Sequence, residues 1–245
     1  CKILFGSILF TLCLSSAGAQ VVNFTDPSFK QALIKKKVDA NNDGEIQVAE
    51  AQQVTKLYLE DTAFSSMEGI QSFKNLVEFG TYKNKIKQVD LQGMASLKRL
   101  YLVGSEIETL NITGCVNLEH LSLIGNRLKE IDITPFKKLT ELSLNYNQLT
   151  RIEIDNYPEL KTVNLSDNSI THFKINGCPK LQSLMIRKNR IAGNIDLTGF
   201  PEMRNFSADN NLLSSVNIRG LKTGIFFLLV LQYYHAEFKR CRKPG

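Results

Sequence analysis

The chain has 245 residues, of which 43% are hydrophobic and 22% charged, the balance of one folded, soluble unit. Its formal net charge of +6 is spread along the sequence and clusters only at Lys35-Lys36-Lys37 and between Lys239 and Lys243. No helix-turn-helix, zinc-finger or aromatic-basic pattern accompanies those clusters, which argues against nucleic acid as a partner.

At the N-terminus Lys2 precedes an apolar run, Ile3 to Leu14, and then Ser15-Ser16-Ala17-Gly18-Ala19. A charged start, a short hydrophobic stretch and an A-x-A site mark a secretory signal peptide over residues 1–19, cut after Ala19. The apolar run is shorter than a membrane span, so no stable span is expected there. The remainder is expected to be exported, and either secreted or held at the cell surface. Cys1 stands where an initiating Met is expected, which implies that the chain is incomplete at its start.

Residues 20–55 read as a helix, a loop and a second helix. Asp26-Pro27 supplies an N-cap followed by Pro at the first helical position, and Phe29 and Leu33 share one face. The second helix is expected from Val48 to Thr55. Between them, Asp39-Ala40-Asn41-Asn42-Asp43-Gly44-Glu45-Ile46-Gln47-Val48-Ala49-Glu50 fits the twelve-residue EF-hand loop, D-x-[DN]-x-[DN]-G-x5-E. Asp39, Asn41 and Asp43 place oxygens at alternate positions, and Gly44 permits the tight turn. Glu45 would add its backbone carbonyl, Gln47 a side-chain or water-bridged contact and Glu50 a bidentate carboxylate, the donor set of one Ca2+ site. Ile46 would hold the short β contact of the loop. A single loop without a partner implies weak affinity, roughly 0.1 to 1 mM. A second reading stays open, in which the loop is only the turn of a helical cap over the apolar segments C-terminal to it.

A leucine then recurs at Leu76, Leu97, Leu118, Leu139, Leu160 and Leu181, each 21 residues after the last. Around it, Leu118, Leu121, Leu123, Asn126 and Leu128 fill an L-x-x-L-x-L-x-x-N-x-L template. Leu139, Leu142, Leu144, Asn147 and Leu149 repeat it, as do Leu160, Val163, Leu165, Asn168 and Ile170. Weaker units begin at Val54, Leu57, Leu59 and Phe64, with Thr62 in the Asn place, and end at Met203, Phe206, Asn211 and Leu213. This pattern resembles the leucine-rich repeat family over residues 54–222, about eight units of 21–22 residues. The resemblance implies a solenoid whose parallel strands line a concave face, with short strands or irregular segments on the convex side. Val89-Asp90-Leu91, Ile131-Asp132-Ile133 and Ile152-Glu153-Ile154 alternate as such short strands do. Between Leu181 and Met203 the step is 22 residues, and Gly193 is expected to absorb the extra one as a bulge. Internalin-like bacterial leucine-rich-repeat proteins carry an N-terminal cap resembling a reduced EF-hand, and residues 20–55 look like such a cap.

The Asn row (Asn84, Asn126, Asn147, Asn168, Asn189 and Asn211) reads as scaffold, since stacked turns leave backbone groups that an amide side chain can satisfy. Cys115 and Cys178 stand 63 residues, or three units, apart. That is on the order of 14 Å at strand spacing, too far for a disulfide, and Phe136, Tyr157 and Phe200 fill the same slot elsewhere. Both cysteines are expected to be small core residues.

Function is expected on the concave rows. Tyr58, Tyr82, Tyr101, Val103 and Ile124 form an aromatic and aliphatic patch near the N-terminal half, beyond which the rows become small and polar. The three histidines, His120, His172 and His235, have no nucleophile or carboxylate motif beside them, so catalysis is not expected. The chain reads as an adhesin-like module for a protein or glycan ligand. Two alternatives are the recognition arm of a larger secreted enzyme and a structural envelope protein. Residues 223–245 leave the repeat pattern, and their run from Ile225 to Tyr234 is too short for an ordinary membrane span.

Overall fold

The computed structural model describes residues 20–60, 63–219, 221 and 226–228. The signal-peptide reading of residues 1–19, Thr62 and most of the 223–245 segment lie outside the described residues. Two short helices come first, α1 (Pro27–Lys35) and α2 (Val48–Gln53). The first is capped as its sequence requires: the Asp26 side chain accepts from the Ser28 and Phe29 N–H groups, and Pro27 opens the helix. The second stops at Gln53, short of the expected Thr55, because Val54 is already extended and leads into the first strand.

In chain order the strands are β1 (Lys56–Leu59), β2 (Glu78–Tyr82), β3 (Gln88–Asp90), β4 (Arg99–Val103), β5 (Thr109–Asn111), β6 (His120–Ser122), β7 (Glu141–Ser143) and β8 (Arg151–Asp155). They continue with β9 (Thr162–Asn164), β10 (His172–Asn176), β11 (Ser183–Met185), β12 (Ala192–Asp196), β13 (Asn205–Ser207), β14 (Leu212–Asn217) and β15 (Phe226–Leu228). One strand from each coil, β1-β2-β4-β6-β7-β9-β11-β13-β15, builds a single nine-stranded sheet. Every pair in it is parallel, as crossover connections within a solenoid demand. The template leucines set its register: Leu57, Phe79, Leu100, Leu121, Leu142, Val163, Leu184 and Phe206 lie side by side. All eight are buried in one continuous core with Leu76, Leu97, Leu118, Leu139, Leu160 and Leu181. The chain is thus a parallel-strand solenoid of about eight turns.

Behind the core the second halves of the coils pair two by two, β3 with β5, β8 with β10 and β12 with β14. Val89 and Ile152 to Ile154 enter strands as their alternation predicts, but Ile131-Asp132-Ile133 does not. The cause lies just after it. Asn156 donates its N–H to Asn176 O in the following coil, whereas the equivalent residue here is Pro135, which has no N–H to give. Asp132 accepts from the Thr134 N–H and hydroxyl, the same local turn that Asp90 and Asp196 make in coils whose back strands pair. The extra residue before Met203 is handled at the expected place: the β12–β14 register shifts between Gly193 and Asn194, and Gly193 has φ +85°. Within the last segment, β15 pairs with β13 one 21-residue step on, Asn205 opposite Phe226.

The Asn row ties coil to coil. Asn168 accepts from Leu149 N at 3.0 Å and donates to Leu144 O and Leu165 O, each at 3.0 Å. Asn126, Asn147, Asn189 and Asn211 repeat this arrangement in their own coils. Each amide therefore satisfies three backbone groups that the strand ladder leaves over. The equivalent of Asn in the Gly104–Ser105 turn is Ser105, whose hydroxyl accepts from Asn84 N.

Cys115 and Cys178 are free and buried, and burial pushes the Cys115 thiol up to about 11. Cys115 Sγ donates to Leu91 O and Tyr157 Oη to Ile133 O, the same step back of 24 residues, so this slot suits any side chain that fills it.

Candidate functional site

On the solvent-facing side of the main sheet, Tyr58, Gly80 and Tyr101 lie side by side. Gly80 has no side chain, and the Tyr58 ring occupies that space: a Cβ at Gly80 would lie 2.5 Å from Tyr58 Cδ1. The ring reaches across toward Tyr101, with centroids 6.4 Å apart and planes tilted by 30°. Tyr58 Oη donates to Glu78 Oε2 at 3.0 Å, while Lys56 and Arg99 hold Glu78 Oε1 at 3.0 and 2.9 Å. Burial, then the bond to Glu78, pushes the Tyr58 phenol up to about 12. Tyr82 pairs with Val103, and Ile124 follows in the next coil, where its carbonyl accepts from Gly104 N. All five patch residues thus sit on neighbouring coils of one face, each half-buried.

Two contributors to this face escaped sequence reasoning. One is Gly80, whose missing side chain lets the Tyr58 ring lie flat. The other is Tyr146, which is 57% exposed and follows Asn145 one coil beyond Ile124. Tyr146 has φ +58°, in a column of left-handed residues that includes Lys83, Gly104, Gly125, Asp167, Lys188 and Asn210. A bulky residue in that region is unusual. The signal available was its place immediately before the row Asn147, where two other coils use glycine.

Farther along, the face is polar. His120 Nδ1 lies 3.1 Å from Glu141 and Arg187 Nε 3.8 Å from Asp209, both across adjacent coils. Asn145 Oδ1 is buried without a hydrogen-bond partner. His172 lies elsewhere, on β10, 3.3 Å from Glu153.

The second candidate is the loop between the helices. Asp39 is 6% exposed; its Oδ2 accepts from Gly44 N at 3.0 Å, while its Oδ1 is buried without a partner. Asp43 Oδ1 accepts from Glu45 N at 2.8 Å, and Asp43 Oδ2 receives N–H groups from Asn41 and Gln47, each at 2.9 Å. These bonds, with the Glu45 N–H foremost, hold the Asp43 carboxyl below its ordinary range. Glu50 accepts from Ala40 and Asn41 N–H on one oxygen and from Gln47 N–H on the other. The Glu45 side chain turns away to Lys30 at 2.7 Å. Among the described residues no three His, Cys, Asp or Glu side chains converge as a metal-binding group. Ile46 is fully buried, its carbonyl accepts from Val22 N, and Val21 and Gln47 form an antiparallel bridge. No helix among the described residues is long and apolar enough to cross a membrane.

The Leucine Rich Repeat family matches residues 117–139, one repeat of the array. No curated protein matches the chain. Among solved structures, the functional domain of InlJ from Listeria monocytogenes is similar with a TM-score of 0.58 and 18% identity, covering 81% of this chain and 57% of that one. Internalin C2 from Listeria monocytogenes gives 0.52 and 20%, covering 86% and 95%. The leucine-rich-repeat protein FLRT2, in an octameric complex with Latrophilin 3 and Unc5D, gives 0.50 and 18%, covering 71% and 59%. The chain thus spans little more than half of the InlJ structure. No catalytic family is indicated, and the shared feature is the leucine-rich-repeat solenoid fold.

Proposed function

We propose that this chain is a secreted or surface-displayed recognition module that holds a protein or glycan ligand on the main-sheet face, at Tyr58, Tyr82, Tyr101, Val103 and Ile124. The observation that carries this reading is the continuity of the patch. Tyrosines with an adjacent arginine, here Arg99, are the side chains that most often dominate an interface, because they bury large rigid areas and keep a polar tip. The similar FLRT2 structure is solved in complex with other proteins, which supports a protein ligand.

In this reading the helix pair is an EF-hand-like cap. Phe29 packs 5.0 Å from Phe64 of the first coil, and Asp26 Oδ2 accepts from the Ser65 N–H and hydroxyl and from Ser66 N. A solenoid end needs such cover for its apolar coil.

The test is pull-down of cell-surface proteins and glycans with the chain and with its Tyr82→Ala/Tyr101→Ala variant. The variant is expected to lose capture while unfolding at the same temperature. Equal capture by both would remove the patch from consideration.

A further inference from the structure

We propose that the polar half of the main-sheet face, from Asn145 to Asp209, binds a neutral oligosaccharide through Asn145, Arg187 and the ring of Tyr146. The inference does not rest on the tyrosine patch, which lies on earlier coils. Coil-to-coil bonds set the order of the residues: Gly125 N donates to Asn145 O, Tyr146 N to Ser166 O, Asp167 N to Arg187 O and Lys188 N to Asp209 O. Asn145, Ser166, Arg187 and Asp209 therefore form one row, the continuation of Tyr82, Val103 and Ile124. Each coil adds about 4.8 Å, so Asn145 and Arg187 stand about 10 Å apart along it.

Two polar groups of this row are left incomplete by the chain itself. Asn145 is only 7% exposed, and its Oδ1 is enclosed without a donor. A buried amide oxygen left unpaired is costly. Arg187 Nε is enclosed without a partner as well. The carboxylate oxygen beside it, Asp209 Oδ2, is 3.8 Å away and already takes the Asn210 amide at 2.9 Å. That separation is too long for a hydrogen bond. It suits an inserted hydroxyl, which accepts from Nε and donates to Asp209. An anionic group in the same place would meet Asp209 as a like charge. Asn145 Oδ1 needs a donor, and a hydroxyl is the smallest group that brings one to so confined an oxygen. A ligand rich in hydroxyls meets both demands.

The third observation is Tyr146, 57% exposed at φ +58° and next to Asn145 in the chain. A bulky side chain held in the left-handed region is strained. The two coils before it place Gly104 and Gly125 at the same position, so neither adds a side chain beside the ring. An exposed aromatic face next to enclosed polar groups suits a sugar, whose C–H groups lie against the ring while the hydroxyls at its rim reach the polar groups. The spacing from Asn145 to Arg187 is longer than one sugar ring and within reach of a few linked ones. Charges along the row are balanced, with Lys188 on Asp167 at 3.1 Å and Arg187 beside Asp209, which favours a neutral saccharide over an acidic one.

The experiment is calorimetric titration of the whole chain with the neutral trisaccharides of glucose, mannose, galactose and N-acetylglucosamine, and with the trisaccharide of galacturonic acid. Saturable heat is expected from at least one neutral trisaccharide, which should bind more tightly than the acidic one. Tyr146→Gly and Asn145→Ala should each weaken that binding at least about tenfold, without lowering the unfolding temperature of the parent. The Tyr82→Ala/Tyr101→Ala variant should bind the trisaccharide as the parent does, so that a failed tyrosine patch and a failed sugar site are told apart. No heat from any neutral trisaccharide, or binding of the acidic one at least as tight, would overturn the proposal. So would undiminished binding by both folded variants, or a loss confined to the Tyr82→Ala/Tyr101→Ala chain. Should either substitution prevent folding, Arg187→Ala, at a side chain 42% exposed, decides in its place with the same expected loss.

Discussion

The Asn-row turns of the repeat stack and the helical segment before it treat buried polar groups in opposite ways. In those turns N–H and C=O groups are left over, and one amide takes up groups of its own coil and of the coil before, as Asn168 does for Leu165 and for Leu149 and Leu144. In the helical segment, Asp39 keeps one enclosed oxygen with no partner. The row turns thus complete themselves, because periodicity lets one residue type answer the same need in most coils. The loop has no periodic neighbour to complete it.

The sharpest way to break this contrast is to damage the stack at its centre. Leu142 is fully buried between Leu121 and Val163 in the main sheet. Leu142→Ala should cost about 2–5 kcal/mol, the transfer term plus a cavity, read as a lower denaturant midpoint in urea unfolding. Asn168→Ala comes next. It leaves Leu149 N without its partner and takes one of two amide donors from Leu144 O and from Leu165 O, which keep Asn147 and Asn189, at about 1–3 kcal/mol. If Asn168→Ala were neutral in the same urea titration, the Asn row would be ornament and not a set of clamps.

How far the molecule was legible in its sequence divides along the same line. The 21-residue register located the main strands, the Asn clamps and the shared slot of Cys115, Tyr157 and Cys178, because each is a repeated solution to a repeated problem. The back strands were less legible. Ile131-Asp132-Ile133 alternates like its neighbours, yet Pro135 removes a donor that Gly93 and Asn156 use at the same place in their own coils. The sheet-face patch was legible as a row of residue types, but not the flat seat of Tyr58, which depends on Gly80 in the adjacent coil. In the loop, the order of oxygen-bearing residues was readable. Which of their atoms would be left unpaired was not, because that depends on contacts with Gly44, Gln47 and Glu50.

The junction between the two regions offers a smaller, pH-dependent test. Asp26 caps α1 and also reaches Ser65 and Ser66 in the first coil. Burial pushes its carboxyl up, but the hydrogen bonds from Ser65, Ser28 and Ser66 outweigh it and hold the group below its ordinary value of 3.8. A depressed carboxyl stabilises the fold above its unfolded value and loses that contribution as pH falls through its folded value. Asp26→Ala should thus cost about 1 kcal/mol near neutral pH. The difference from the parent should shrink in unfolding curves taken below pH 3.8. A difference that stayed constant there would mean that the carboxylate does not tie cap to coil.

The smallest effect on stability is expected where the effect on ligand capture is large. Gly80 lies at ordinary strand backbone under the Tyr58 ring, with no left-handed φ to preserve. A methyl group there meets Tyr58 Cδ1 at 2.5 Å and Cε1 at 2.8 Å, so the ring must lift, and it can do so into solvent. Lifting it breaks the bond to Glu78 and the tilted contact with Tyr101, both on the exposed face, while the core beneath keeps every leucine. Gly80→Ala should therefore shift stability by no more than about 0.5 kcal/mol, yet break up the flat aromatic seat and weaken ligand capture as strongly as the Tyr82→Ala/Tyr101→Ala variant. A Gly80→Ala chain that captures the same partners as its parent would show that the tyrosines serve the first two coils alone, and that any ligand is held farther along the face, beyond Tyr146.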